Sequence, residues 1–161
     1  MGRAKLGPAD PKAAMVTFVR PPGYFGEGSI VGLWDGEHLV GYIRSGQLIQ
    51  YRTTAGAHLF VADAEENWSY ARSSLVAGKD YYIKVNMFPG ILGYRVALGT
   101  VPKNDDRVTG WRQRLEAVMR NANDAARSAE TDRKPKVVEA IDKFKSGAVT
   151  SFAEVKPEDG R

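Results

Sequence analysis

The sequence contains no cysteine and only two histidines. The first absence excludes a disulfide scaffold, a thiolate zinc site, a cysteine nucleophile and a lipidated cysteine within these residues. The second leaves little imidazole for catalysis or metal binding. His38 and His58 stand far apart with no cysteine between them, which is no zinc signature, and no metal or cofactor is expected. Long apolar runs are also missing. The longest, such as Ile30 to Trp34, fall far short of the ~20 residues of a membrane span. Charge of one sign is nowhere concentrated. Residues 1–107 carry 12 basic and 10 acidic side chains and the remainder 11 and 9, so the net charge of +4 is spread evenly. A nucleic-acid binder shows a basic stripe or face, and its absence argues against nucleic acid as a partner despite a pI near 9.3. Internal repeats and low-complexity tracts are lacking too. What remains is a 161-residue chain, 43% hydrophobic and 26% charged, which suits one globular domain with an appendage.

Turn signals divide the first two-thirds into short strands. Ala14 to Arg20 is rich in β-branched and aromatic residues, and Pro21-Pro22 stops it. Ser29 to Trp34 and Glu37 to Arg44 flank Asp35-Gly36, a dipeptide suited to the positive-φ positions of a tight hairpin. Ser45-Gly46 marks a second turn before Gln47 to Arg52. Ala55-Gly56 precedes Ala57 to Ala62, and the polar stretch Asp63 to Asn67 leads to Trp68 to Ser73. Lys79 to Met87 alternates with period two. Tyr81, Ile83, Val85 and Met87 share one face, and Asp80, Tyr82, Lys84 and Asn86 share the other, as for a sheet with one buried and one wet side. Gly93 to Val101 is the last strand. Seven or eight strands at this spacing predict an antiparallel β-sandwich over residues 13–102, after a flexible segment 1–12.

Residues 103–161 read as a linker, two amphipathic helices and a frayed tail. Thr109 suits a helix cap, and Trp111, Leu115, Val118, Met119, Ala122 and Ala126 follow helical spacing over about 110–130. A second helix over 135–146 begins at Pro135, with Val137, Val138, Ile141 and Phe144 on its apolar face. Helices of this length are marginal alone in water and need a surface. The short linker favours docking of Trp111, Leu115 and Met119 on the sandwich, with pairing to a partner chain as the alternative use of the same three residues. The second helix is the freer candidate for a partner. No signal peptide follows Met1-Gly2-Arg3, although these residues would suit a start placed behind a removed leader. Leu6 stands where a myristoylation signal needs Ser or Thr.

Several motifs of the β region, taken in order, resemble a bacterial family catalogued as domain of unknown function 2846. Thr17-Phe18-Val19-Arg20-Pro21 resembles its opening strand. Trp34 to Gly41 resembles its strand, Asp-Gly turn, strand and Gly signature. Ala55-Gly56-Ala57-His58 resembles its Pro-Gly-Lys-His turn, with Ala55 in place of the usual proline. Ala77 to Val85 resembles its Ala-Gly-Lys-x-Tyr-Tyr-x-Arg-Val strand. The resemblance covers about residues 14–101. It implies a sandwich in a periplasmic or outer-membrane-associated, lipoprotein-like setting behind a leader, and it implies no catalytic residues.

The remaining chemistry-bearing residues read more simply as structure. His58 follows a turn, where its ring suits backbone hydrogen bonding, and His38 is expected to be exposed. Glu65-Glu66 and Asp105-Asp106 lie in predicted loops and lack the alternating ligands of a calcium loop. Ser73-Ser74 has no nucleophile-elbow context. The glycine-rich loop 23–28 leads into a strand, whereas a phosphate loop leads into a helix N-terminus. Aromatics beside arginines are the most suggestive feature. Tyr24, Phe25, Trp68, Tyr70 and Arg72 are the candidate ligand-binding residues, able to stack on sugar, base or peptide, and cross-strand core packing is the competing use. The expectation is a noncatalytic envelope module with a structural or binding role and an envelope protein or glycan as partner. The rival is a β-barrel that binds oligosaccharide or nucleic acid through exposed aromatic and arginine side chains.

Overall fold

The computed structural model describes residues 6–7, 10–23, 25–64, 66–118 and 124–161. Among these, the strands are β1 (Ala14–Arg20), β2 (Val31–Asp35), β3 (His38–Ile43), β4 (Gln47–Thr53), β5 (Gly56–Asp63), β6 (Trp68–Leu75), β7 (Asp80–Pro89), β8 (Tyr94–Thr100), β9 (Glu116–Val118) and β10 (Ala153–Val155). Helix α1 spans Arg107–Arg114 and α2 spans Asp124–Lys145, and a 3-10 turn forms at Pro157–Asp159. Two five-stranded sheets pack together, one in the order β8-β7-β1-β4-β9 and the other β10-β6-β5-β2-β3. The chain is thus mainly β and two-layered, as expected, and the sheets are separate rather than closed into one barrel.

The antiparallel expectation needs correction, because both sheets are mixed. Strand β1 pairs β4 antiparallel but β7 parallel, with Val16 opposite Tyr81. Strands β9 and β10 add parallel edges to β4 and β6. The physical reason lies in connectivity. A tight turn such as Asp35-Gly36, where Gly36 has φ of +55°, can join only antiparallel neighbours. Parallel neighbours meet through long excursions across the other sheet, which leave no local mark.

Between the sheets lies a core of β-branched and aromatic side chains, with Phe18 and Phe60 edge to face at 5.4 Å and 79°. The outer faces are covered as well. On the first sheet, Val19, Leu48 and Tyr82 pack against Val108, Trp111 and Leu115. On the second, Trp34, Leu39, Val61 and Tyr70 pack against Val137, Ala140 and Ile141 of α2. The expected wet face of β7 is therefore partly dry: Tyr82 is 2% exposed beneath α1. Strand β1 is buried along its whole length, since it is central in its sheet and covered on both sides.

The C-terminal third departs most from expectation. The first helix starts at Arg107, with Asp106 rather than Thr109 at its cap, and it ends at Arg114. Leu115 turns extended, Glu116 N–H donates to Gly46 O at 3.0 Å, and β9 forms on the edge of β4. An open sheet edge offers backbone partners that a continued helix would leave unused. Met119 and Ala122 lie outside the described residues. The second helix does not begin at Pro135 but carries it inside. Its apolar face lies on the second sheet, and that packing sustains the helix across a residue that removes one backbone donor. The tail is not frayed. Strand β10 pairs β6, Arg161 exchanges two backbone hydrogen bonds with Asp80 at 3.0 Å, and Thr100 Oγ1 donates to Glu154 O at 2.8 Å. The terminus thus ties both sheets together.

Candidate functional site

A concavity forms where β1 ends and α1 begins. Proline has no N–H for the ladder, so Pro21-Pro22 stops β1 and leaves a gap beside the β3–β4 turn. Helix α1 spans that gap. Its start is organised by Asp105, whose Oδ1 accepts the Arg107 N–H at 3.0 Å while the carboxylate pairs with the Arg107 guanidinium at 2.6 Å. That ion pair holds the Asp105 carboxyl down at about 2, chiefly through the Arg107 hydrogen bonds, and raises the Arg107 guanidinium in turn. Trp111 follows one turn later, 9% exposed, with Arg107 stacked over its ring at 5.0 Å. Pro21, Pro22, Gly46, Arg107, Trp111 and Arg114 line a cleft of about 620 Å³, with the Asp106 cap at its rim. The Arg114 side chain is exposed. This volume falls in the range of small-ligand sites, and its apolar walls with a few polar groups match their usual make-up. A smaller pocket of about 180 Å³ shares the two prolines and continues toward Phe25, Lys84 and Met87.

The residues singled out from sequence are scattered by the fold. Tyr24 and Met119 lie outside the described residues. Phe25 is exposed in the loop beside β7. Trp68, Tyr70 and Arg72 share the outer face of β6, which the chain's own C-terminal region covers. The Tyr70 hydroxyl donates to Ala140 O at 3.0 Å and its ring stacks on Phe144 at 5.2 Å; burial raises its pKa. Arg72 lies over Phe152 at 4.8 Å and pairs with Glu154. Trp68 lies under Arg133 at 5.1 Å, and Arg133 forks onto Asp63 at 2.6 and 2.7 Å, which raises the guanidinium pKa. A cleft of about 240 Å³ remains there, lined by Trp68, Arg133, Lys136 and Lys143. Trp111 and Leu115 pack in cis on the first sheet while the rim of Trp111 faces the large cleft.

Four residues, Asp35, Tyr51, Thr53 and His58, form one polar cluster. The Asp35 carboxylate, at the end of β2, accepts from Tyr51 Oη at 2.8 Å and from Thr53 Oγ1 at 3.3 Å, both on β4 of the opposite sheet. His58 Nδ1 lies 2.9 Å from Asp35 Oδ1, and Nε2 lies 2.8 Å from Thr54 O. The expected backbone bond of His58 is present, and the carboxylate contact is an addition the sequence does not show. Burial, followed by the hydrogen bond to Asp35, pushes the Tyr51 phenol up to about 12. His38 is exposed, as expected, and stacks on Tyr51 at 6.1 Å. The cluster joins the two sheets, and each of its acceptors and donors is committed to that joint.

Sequence reasoning missed the cleft because its walls come from three separate segments. The signal available was local: Arg107, Trp111 and Arg114 stand at i, i+4 and i+7, one helical face. No protein-family model, curated protein or solved structure matches the chain.

Proposed function

We propose that this chain is a noncatalytic two-sheet module of the bacterial cell envelope, periplasmic or outer-membrane-associated, that binds an acidic glycan or an acidic segment of an envelope protein in the α1 cleft. The observation that carries the reading is the cleft itself: the rim of Trp111 and Pro21-Pro22 form apolar walls, with the exposed Arg114 beside them and Asp106 also in the lining. Apolar walls beside the Arg114 guanidinium suit a sugar ring bearing a carboxylate, through apolar contact and a bidentate charge-assisted contact. The envelope setting draws its support from the motif resemblance over residues 14–101. The noncatalytic reading draws its support from the commitment of His58 and Asp35 to one another, to Tyr51 and to backbone.

Titration of tryptophan fluorescence with oligogalacturonate, against a neutral oligosaccharide of equal length, tests the reading. Saturable binding of the acidic ligand is expected, weakened about tenfold in Arg114→Ala, the order of one charge-assisted contact. Equal response to both sugars, or indifference to Arg114→Ala, would reject the cleft as the site. Release of shortened sugar products would reject the noncatalytic reading.

A further inference from the structure

The hairpin β7–β8 ends in an apolar tip that faces solvent. Ile91 is 96% exposed and Leu92 93%, the two most exposed large apolar side chains among the described residues. Phe88 and Tyr94 flank them, each more than a third exposed, and Phe25 of the neighbouring loop is 53% exposed. Arg95 lies over the Phe88 ring at 6.0 Å. Scattered apolar residues on a surface need no explanation, but a contiguous set at one projecting turn does.

The turn is held in place. Gly90 N–H donates to Gly93 O at 2.8 Å. The Glu66 carboxylate, from the β5–β6 connection, accepts the N–H of Ile91 at 3.0 Å and that of Leu92. Asn67 next to it clamps Val96 through two hydrogen bonds of 2.8 Å. A Cβ at position 90 would meet the Glu66 carboxylate, which would have to shift to make room. The Glu66 carboxylate is therefore turned onto backbone, and the two aliphatic side chains are presented outward by a braced scaffold.

We propose that this tip inserts Ile91 and Leu92 into the interfacial zone of a lipid bilayer. The inference rests on the hairpin alone and does not require the α1 cleft to bind anything. Two aliphatic side chains and three part-exposed rings expose on the order of 500 Å². A stable protein–protein interface takes ~800 Å² from each partner, so a second copy of the chain meeting this tip would bury too little. A bilayer asks only for apolar groups at the point and amphipathic groups at the rim. Ile91 and Leu92 supply the first, and Tyr94, Phe88 and Arg95 supply the second at the depth where rings and guanidinium groups meet headgroups.

Because the chain has no cysteine, Leu92→Cys provides a single attachment point for an environment-sensitive dye. Val76→Cys, at the opposite end of β7, is the control. With vesicles of phosphatidylethanolamine and phosphatidylglycerol, the dye at position 92 should shift to the blue and become shielded from an aqueous quencher, and that at 76 should not. In the otherwise unlabelled full chain, Ile91→Asn and Leu92→Asn should each lower vesicle partitioning about tenfold without a change in melting temperature, since neither side chain packs on the fold. Absence of vesicle binding, equal binding by both asparagine variants and the parent chain, or equal shifts at 76 and 92 would overturn the proposal. A concentration-dependent dimer abolished by Ile91→Asn would overturn it in favour of self-association.

Discussion

Replacing Arg20 by methionine tests how the end of β1 is tied to the loop before β2 and to β3 of the opposite sheet. Arg20 is the last residue of β1 and is 2% exposed. Its Nη1 donates to Ser29 O at 2.8 Å and Ile43 O at 3.0 Å, and its Nη2 to Gly26 O at 2.5 Å and Ser29 Oγ at 3.0 Å. No carboxylate is among these partners. Burial alone accordingly lowers the guanidinium pKa. Hydrogen bonds from a charged donor are worth ~1.5–3 kcal/mol each. Four of them give a gross ~6–12 kcal/mol, from which several kcal/mol of guanidinium desolvation must be subtracted. The net loss in Arg20→Met, which keeps most of the stem volume, should be about 3 kcal/mol. For a chain of this size that lowers the melting temperature by roughly 6–12 °C. Arg20→Lys should recover less than half, because one ammonium cannot span four acceptors held by a fork. Calorimetry gives the global loss. Hydrogen exchange gives the local one, since the Ser29 amide, which donates to Gly26 O at 2.9 Å, should lose protection ahead of the core strands. A stability within ~0.5 kcal/mol of the parent chain would refute the claim that the arginine pins loop 21–28.

Two further outcomes are expected. In an ultraviolet titration, the difference between the parent chain and Tyr51→Phe should isolate a phenol with midpoint about 12. Because this pKa is raised, the stability it contributes is fully present below the unfolded value of ~10 and is lost as pH rises through the folded one; a midpoint near 10 would show that the Asp35 joint is open. Pro135→Ala should stabilise the chain by about 1–3 kcal/mol in urea unfolding, since the restored helix donor outweighs the added freedom of the unfolded chain; a loss of stability would show that proline suits its place in α2.

How far the candidate sites were legible differs from residue to residue. Tyr70 and Trp68 stand out in the sequence as aromatics next to Arg72, but a pattern of period two cannot say which layer lies above a strand. Here α2 and the segment after it lie there, so Tyr70 spends its hydroxyl on Ala140 O. His58 was legible as a turn histidine. Its Asp35 partner was not, because the two meet across neighbouring strands of one sheet while Tyr51 reaches them from the other. The cleft was hidden for a similar reason. Pro21-Pro22 announces a strand end and Trp111 a helix face, but nothing in either segment tells that they oppose each other.

Local chemistry by itself determined the strands of residues 14–100 and their hairpins, because turn dipeptides, proline stops and side-chain alternation act over a few residues. It also determined that an apolar C-terminal stripe must be buried somewhere. Only the tertiary structure decided where: β9 and β10 left helix and tail to complete sheet edges, and α2 continued through Pro135 because the second sheet covers its apolar face. Backbone groups at an open edge and apolar faces without cover are satisfied by whichever segment can reach them, and reach is a property of the folded chain.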